Sequence, residues 1–152
     1  MRTPTVRRHA STFHLEYSVL VEVNAAPERL WALLTDAADF PRWNSTIASL
    51  QGPIEPGRRL ELRLPISERV FRPRVSGFEP ARRMEWSDGA APLFRGVRTF
   101  TLTPIGDATE FKMTETFRGL LVPMIRGSLP DFGPPFERFA ADLQREAERR
   151  TA

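Results

Sequence analysis

Residues 19–44, Val-Leu-Val-Glu-Val-Asn-Ala-Ala-Pro-Glu-Arg-Leu-Trp-Ala-Leu-Leu-Thr-Asp-Ala-Ala-Asp-Phe-Pro-Arg-Trp-Asn, restrict the fold more than any other part of this chain. Leading into them, Leu15, Tyr17, Val19, Val21 and Val23 alternate with Glu16, Ser18 and Glu22, the period-two pattern of a half-buried strand. Almost without a loop, the pattern becomes helical at Pro27. Proline fits a first helical turn because its missing N–H has no partner there, and Glu28 complements the positive helix end. Leu30, Trp31, Leu33 and Leu34 form one apolar face, and a shorter helical piece ends at Phe40-Pro41-Arg42-Trp43-Asn44. Trp43 is expected to anchor that piece and Asn44 to end it.

The chain then becomes strand-rich. A short strand is expected at 47–51. Leu60, Leu62, Leu64 and Ile66 alternate with Arg59, Glu61 and Arg63, and Pro65, Ser67 and Glu68 supply a turn. Residues 70–78 read as one further strand, with Pro73 and Gly77 marking an edge, bulge or bend. A strand at 83–87 follows, then the loop Asp88-Gly89-Ala90-Ala91-Pro92. Two long strands, 94–103 and 109–118, flank the hairpin loop Pro104-Ile105-Gly106-Asp107-Ala108. Helical character returns at 120–126, is broken by Gly127, Pro130, Gly133, Pro134 and Pro135, and resumes with Phe136, Phe139, Ala140, Leu143 and Ala147 at helical spacing. An amphipathic helix with a Phe-rich stripe must lie on something, and the concave side of an antiparallel sheet is the available partner. These patterns predict one domain, residues 13–150, in the α+β class. Its sheet would be curved, antiparallel and seven-stranded, wrapped around a long C-terminal helix, with two short helices after the first strand. Residues 1–12 are basic, lack acidic residues and have no apolar core. They read as a flexible tail rather than a secretory signal, with an organelle-targeting peptide as the alternative.

The opening segment, the strand Phe94-Arg-Gly-Val-Arg-Thr-Phe-Thr-Leu102 and Glu115-Thr-Phe-Arg-Gly119 together resemble the START-domain and pollen-allergen-like superfamily (SRPBCC). The pattern is most similar to its polyketide cyclase/dehydrase-like branch, and the resemblance covers about residues 13–148. It implies the helix-grip fold, in which a hydrophobic ligand is held between sheet and C-terminal helix. Members of that branch include cyclases, carriers of hydrophobic ligands and proteins of unknown role, so the resemblance specifies fold more than function.

The chemical stock of the chain is narrow. It has no cysteine, and its two histidines, His9 and His14, lie in or beside the basic N-terminal stretch. A Ser-His-Asp triad, a Cys-His pair or a His-rich metal site would need residues the core lacks, and no Gly-rich phosphate loop follows a strand. No metal and no cofactor are therefore expected. Basic residues number 22 against 19 acidic ones, for a net charge of +3, and Lys112 is the sole lysine. Arginines cluster at 58, 59, 63, 69, 72, 74, 82 and 83, and several alternate with apolar residues as on a solvated sheet face. No stacking aromatics accompany them, so no nucleic-acid partner is expected. No apolar run approaches the ~20 residues of a membrane span, and a cytoplasmic location is expected.

The long hairpin permits a geometric inference. If Leu102 faces Phe111, then Phe100 faces Met113, Arg98 faces Glu115 and Gly96 faces Phe117, all on one face of the sheet. The apolar pairs must point inward, so Arg98 and Glu115 point inward beside them. Burying either charge alone is costly, whereas a hydrogen-bonded pair is tolerable. Two readings stay open: a structural ion pair at the open end of the sheet, or a polar spot on a pocket wall that orients a ligand. Tyr17, Met84 and Trp86 lie on inward faces, and Phe71, Phe94, Phe117, Phe136 and Phe139 add apolar surface. With Phe100 and Met113 these make the apolar lining, with few polar groups, of a small-molecule site.

The function expected is binding of a hydrophobic or amphipathic small molecule, lipid- or polyketide-like, without a cofactor, with residues 127–135 as a mobile gate. The alternative is a cyclase- or dehydratase-like enzyme in which Arg98 polarises and Glu115 shuttles a proton. The lack of a core histidine and the single tyrosine weaken that alternative. A third class, a protein-interaction module on the arginine-rich outer face, lacks an apolar patch in its favour.

Overall fold

A computed structural model of the chain describes residues 2–149. The first structural decision is made at strand β2 (His14–Val23), where Leu15, Tyr17, Val19, Val21 and Val23 are buried as their alternation requires. Two residues past a backbone bond from Ala25 N to Val23 O (2.9 Å), Pro27 opens helix α1 (Pro27–Leu34). Leu30, Leu33 and Leu34 are buried, and Trp31 stays half-exposed against Phe78 at 5.2 Å between ring centroids. Thr35 ends the helix, its N–H and its hydroxyl both donating to Trp31 O at 3.0 and 2.7 Å. Helix α2 (Phe40–Trp43) follows, and both its aromatic rings sit about Phe139, at 5.9 and 6.2 Å.

The strands are β1 (Thr5–Ser11), β2, β3 (Ser49–Gln51), β4 (Glu61–Arg63), β5 (Val70–Phe71), β6 (Arg74–Glu79), β7 (Arg83–Ala90), β8 (Phe94–Ile105) and β9 (Ala108–Arg118). They form a six-stranded antiparallel sheet in the order β1-β2-β9-β8-β7-β6 and a separate three-stranded sheet, β3-β4-β5. This corrects the expectation of one seven-stranded sheet in two ways. The stretch 70–78 is not one strand: β5 pairs with β4, and β6 pairs with β7. Pro73 stands at the break, where it has no N–H to give a ladder. Its carbonyl instead accepts from Leu60 N at 2.8 Å, beside a bridge between Arg59 and Arg74, so the two sheets meet there.

The second correction is β1. Most of the segment read from the sequence as a flexible tail is an edge strand, paired with β2 from Thr5↔Leu20 to Ser11↔His14. Its side chains are nearly all exposed, so it carries no apolar alternation to betray it; backbone bonding holds it. An arginine-rich strand with little apolar surface also suits an edge that must not recruit another sheet.

The C-terminal helix α4 (Gly133–Glu148) buries Phe136, Phe139, Ala140, Leu143 and Ala147 against the large sheet, as the spacing predicts. Phe139 lies between Phe100 of β8 (6.1 Å) and Phe111 of β9 (6.0 Å) on one side and α2 on the other. Polar straps fix the helix. Asp142 Oδ2 accepts from Ser45 N and Oγ at 2.8 Å each, Arg42 Nη2 reaches Glu146 Oε1 at 2.7 Å, and Gln144 Nε2 donates to Glu22 O at 3.1 Å. The link from β9 to α4 contains α3 (Val122–Ile125) and a 3-10 turn (Arg126–Ser128). Among the described residues no helix is long and apolar enough to cross a membrane.

Candidate functional site

The hairpin register is the one deduced from the sequence: Arg98↔Glu115, Phe100↔Met113 and Leu102↔Phe111, with Gly96↔Phe117 beyond. Along β8 and β9 this row runs from a closed end to an open one. Phe100, Leu102, Phe111 and Met113 are fully buried, because Phe139 covers that part of the sheet. From Arg98 outward, α4 no longer overlies the sheet, and a cavity of about 370 Å³ opens.

Three walls line it. The large sheet supplies Trp86, Asp88 and Gly89 from β7, Phe94, Gly96 and Arg98 from β8, and Glu115 and Phe117 from β9. Opposite, the small sheet and its turn give Leu62, Leu64, Ile66, Ser67, Arg69 and Phe71, with Pro73 at the junction. Ser128, Leu129, Pro130 and Phe132, from the link to α4, close one side. That link is the segment expected to gate the site. The walls are mostly aliphatic and aromatic with a few polar groups, the composition of a small-molecule pocket.

Arg98 and Glu115 form the polar centre. Arg98 Nη2 stands 3.4 Å from Glu115 Oε1, with side-chain exposures of 8% and 14%. That separation exceeds the 2.7–2.9 Å typical of a tight charge-assisted bond. The Arg98 guanidinium also lies 5.2 Å from the Phe136 ring centroid, a cation–π contact at the first turn of α4. Burial pushes the Glu115 carboxyl above its ordinary range, and the attraction of Arg98 offsets this only in part. Behind Arg98 a pocket of about 40 Å³, with room for a few waters at most, is lined by Met113, Phe136, Phe139, Ser45, Thr46 and Arg138 among others.

The structure thus sorts the residues singled out from the sequence. Phe71, Trp86, Phe94, Arg98, Glu115 and Phe117 lie on the main cavity, and Met113, Phe136 and Phe139 on the small one. Tyr17, Met84 and Phe100 line neither. Met84 and Phe100 belong to the closed half of the sheet. Tyr17 supports the wall from behind: its ring packs on Phe132 at 5.6 Å and Phe136 at 6.3 Å, and its hydroxyl accepts from Arg8 Nε at 3.3 Å. Trp43 and Asn44 act as expected, Trp43 in the aromatic cluster and Asn44 at the end of α2, where Oδ1 accepts from Thr46 N and Oγ1. The wall missed by sequence reasoning is the β4–β5 turn. Its signal was present, since Leu62, Leu64 and Ile66 continue one alternating face. Trp86 is 2% exposed, and its Nε1–H has no acceptor among the described residues.

Comparison with known proteins agrees with this architecture. MLL2253 from Mesorhizobium loti superposes with a TM-score of 0.66 at 22% identity, over 89% of this chain and 99% of its own. CalU16 from Micromonospora echinospora gives 0.63 at 16% identity, over 97% and 83%. DynU16, from the dynemicin biosynthetic locus, gives 0.62 at 21% identity, over 86% and 46%. At such identities the likeness shows the fold alone. No curated protein matches the sequence. The model of the family described as polyketide cyclase / dehydrase and lipid transport matches residues 12–150. With β2 through α4 falling inside that span, the chain belongs to this family, of the SRPBCC type.

Proposed function

We propose that the chain binds a hydrophobic or amphipathic small molecule in the cavity between its two sheets and the link to α4. The observation that carries this is the cavity itself: about 370 Å³ of mostly apolar wall with one buried ion pair at its inner end. That volume suits a ligand of two or three fused or linked rings, or a folded acyl chain, and the ion pair fixes which end enters first. The segment 128–132 is the door, because Pro130 and the glycines and prolines around it prevent a continuous helix. The test is a fluorescence titration with N-phenyl-1-naphthylamine, an uncharged probe of this size. Wild-type protein should bind it. Gly96→Leu should weaken binding by at least about tenfold. A Cβ at Gly96 meets only ordinary contacts, 3.5 Å from the Phe117 ring, so the variant fills the cavity without straining the strand. Failure of the wild type to bind either this probe or its anionic relative 8-anilinonaphthalene-1-sulfonate refutes the reading.

A second reading, a cyclase- or dehydratase-like reaction, rests on one observation. A carboxyl held above its ordinary range beside an arginine, at the inner end of a mostly apolar cavity, is the arrangement a proton-donating group needs. Incubation with a poly-β-ketone thioester, followed by mass, tests it. Loss of water or ring closure that disappears in Glu115→Gln supports it, and no conversion at any pH removes it.

A further inference from the structure

The Arg98 guanidinium is under-used. It offers five N–H donors, and Glu115 Oε1 stands 3.4 Å from Nη2, longer than a tight charge-assisted bond. Among the described residues, no second carboxylate lies within ion-pair distance of it. One side of it rests over Phe136, and it lines both cavities. It is therefore a preorganised cation with unspent donors at the inner end of an apolar pocket.

The charged and titratable groups around Glu115 are few. Across β2, Tyr17 stands directly opposite, with its hydroxyl engaged by Arg8 of β1. On β8 there is Arg98. From β7 comes Asp88, paired with Gly96, and from the β4–β5 turn comes Arg69, over the Phe71 ring at 5.6 Å. From α4 comes Arg138, across the smaller pocket. Asp88, Arg69 and Arg138 are exposed and screened by water. Among the described residues, Arg98 is the single close countercharge.

We infer that the cavity selects hydrophobic anions over neutral hydrophobes, and that each anion enters together with a proton taken up by Glu115. The inference rests on the binding reading above. An acidic ligand group that reaches Arg98 comes to lie beside Glu115, and two anions sharing one cation at that range cannot both stay ionised. Glu115 is the group that yields, because burial already favours its neutral form. The balance is simple. The free site holds an arginine cation and a carboxylate. The anion and one proton from solvent enter. The bound site holds an arginine cation, the ligand anion and a neutral carboxylic acid. An uncharged ligand leaves the ion pair as it was and takes up no proton.

Two probes of one skeleton separate these cases: 8-anilinonaphthalene-1-sulfonate, anionic throughout the range, and N-phenyl-1-naphthylamine, which is neutral. Calorimetric titrations of the full chain in two buffers of different ionisation enthalpy give the protons taken up per molecule bound, from about pH 5 to about pH 9. For the sulfonate, uptake should rise towards one proton, and affinity should fall by up to about tenfold per pH unit across that window. The neutral probe should show neither effect. Glu115→Gln should bind the sulfonate with no proton uptake and a flat pH profile, and Arg98→Gln should lose the preference for the sulfonate while still binding the neutral probe. Sulfonate binding without uptake at any pH, or uptake that survives in Glu115→Gln, overturns the inference and leaves the binding reading intact. So does exclusion of the sulfonate while the neutral probe binds. If neither probe binds, both readings fall together. Should a variant fail to fold, the wild-type measurement in two buffers still decides the matter.

Discussion

Replacing Glu115 by glutamine removes a charge and keeps the shape, so it measures what the ion pair contributes. At about 4 Å between charge centres and an effective dielectric constant near 20, the attraction to Arg98 is worth about 4 kcal/mol. Against it stands the cost of stripping water from the carboxylate, several kcal/mol for a buried ion. The carboxyl is pushed up rather than down, so the desolvation cost wins. The sign follows. Between the ordinary glutamate value of 4.5 and the raised folded value, the folded protein holds more protons at this site than the unfolded chain. Stability contributed by this group is fully present below 4.5 and declines as pH rises through the folded value. Glutamine does not titrate, so the variant escapes that decline. The arginine left behind is not stranded, because it borders a cavity that admits water and keeps its contact with Phe136. Urea melts should therefore place Glu115→Gln within about 1 kcal/mol of the wild type at pH 5, as for a solvated pair, and level with it or above it at pH 8. A loss of about 3–5 kcal/mol at pH 8, the usual result of breaking a dry buried pair, would refute the reasoning and make Arg98 and Glu115 a structural pair.

Three further outcomes are expected. Phe139→Ala, at the centre of the aromatic cluster, should cost about 3–5 kcal/mol in denaturant melts, and a cost near zero would show that the ring is not packed as described. Trp86→Phe should cost less than about 1.5 kcal/mol, because the smaller ring also removes a buried N–H without an acceptor; a loss as large as that of Phe139→Ala would mean that the indole N–H is satisfied. Gly119→Ala should lower stability by more than about 1 kcal/mol, since the residue has φ +138° and a Cβ there would come 2.2 Å from Leu93 O; thermal melts that match the wild type would contradict this geometry.

How much of this was readable in the sequence depends on what kind of information a residue pattern holds. Alternation reports faces. Leu102 opposite Phe111 and Phe100 opposite Met113 were enough to set the β8–β9 register and to carry Arg98 and Glu115 inward with them. The β2–α1 junction was equally legible, because Pro27 and Glu28 mark a helix start chemically. Strand β1 was hidden because it buries almost nothing, so no pattern of side chains records it. The division of the sheet was half visible. Pro73 announced a disruption, but only the pairing of β5 with β4 and of β6 with β7 shows that the chain changes sheets there rather than bulging.

The site illustrates the remaining gap. Period-two reasoning places Phe94, Arg98, Phe100 and Met113 on one inward face, yet says nothing of which inward positions are dry. That depends on where the covering helix begins, a property set far away in sequence. Pro134 and Pro135 occupy the first turn of α4, where missing N–H groups are tolerated. Neither proline has an N–H to give a carbonyl four residues back, so α4 cannot extend N-terminally across the sheet. Phe139, one turn in, fills the space above Phe100 and Phe111; Phe136, at the first turn, reaches only as far as Arg98; beyond it nothing helical covers Gly96 or Phe94. The floor of the cavity is therefore fixed by the proline-defined start of the last helix. Met84 and Phe100 become core, and Phe94 and Phe117 become wall, although all four share one face of the sheet.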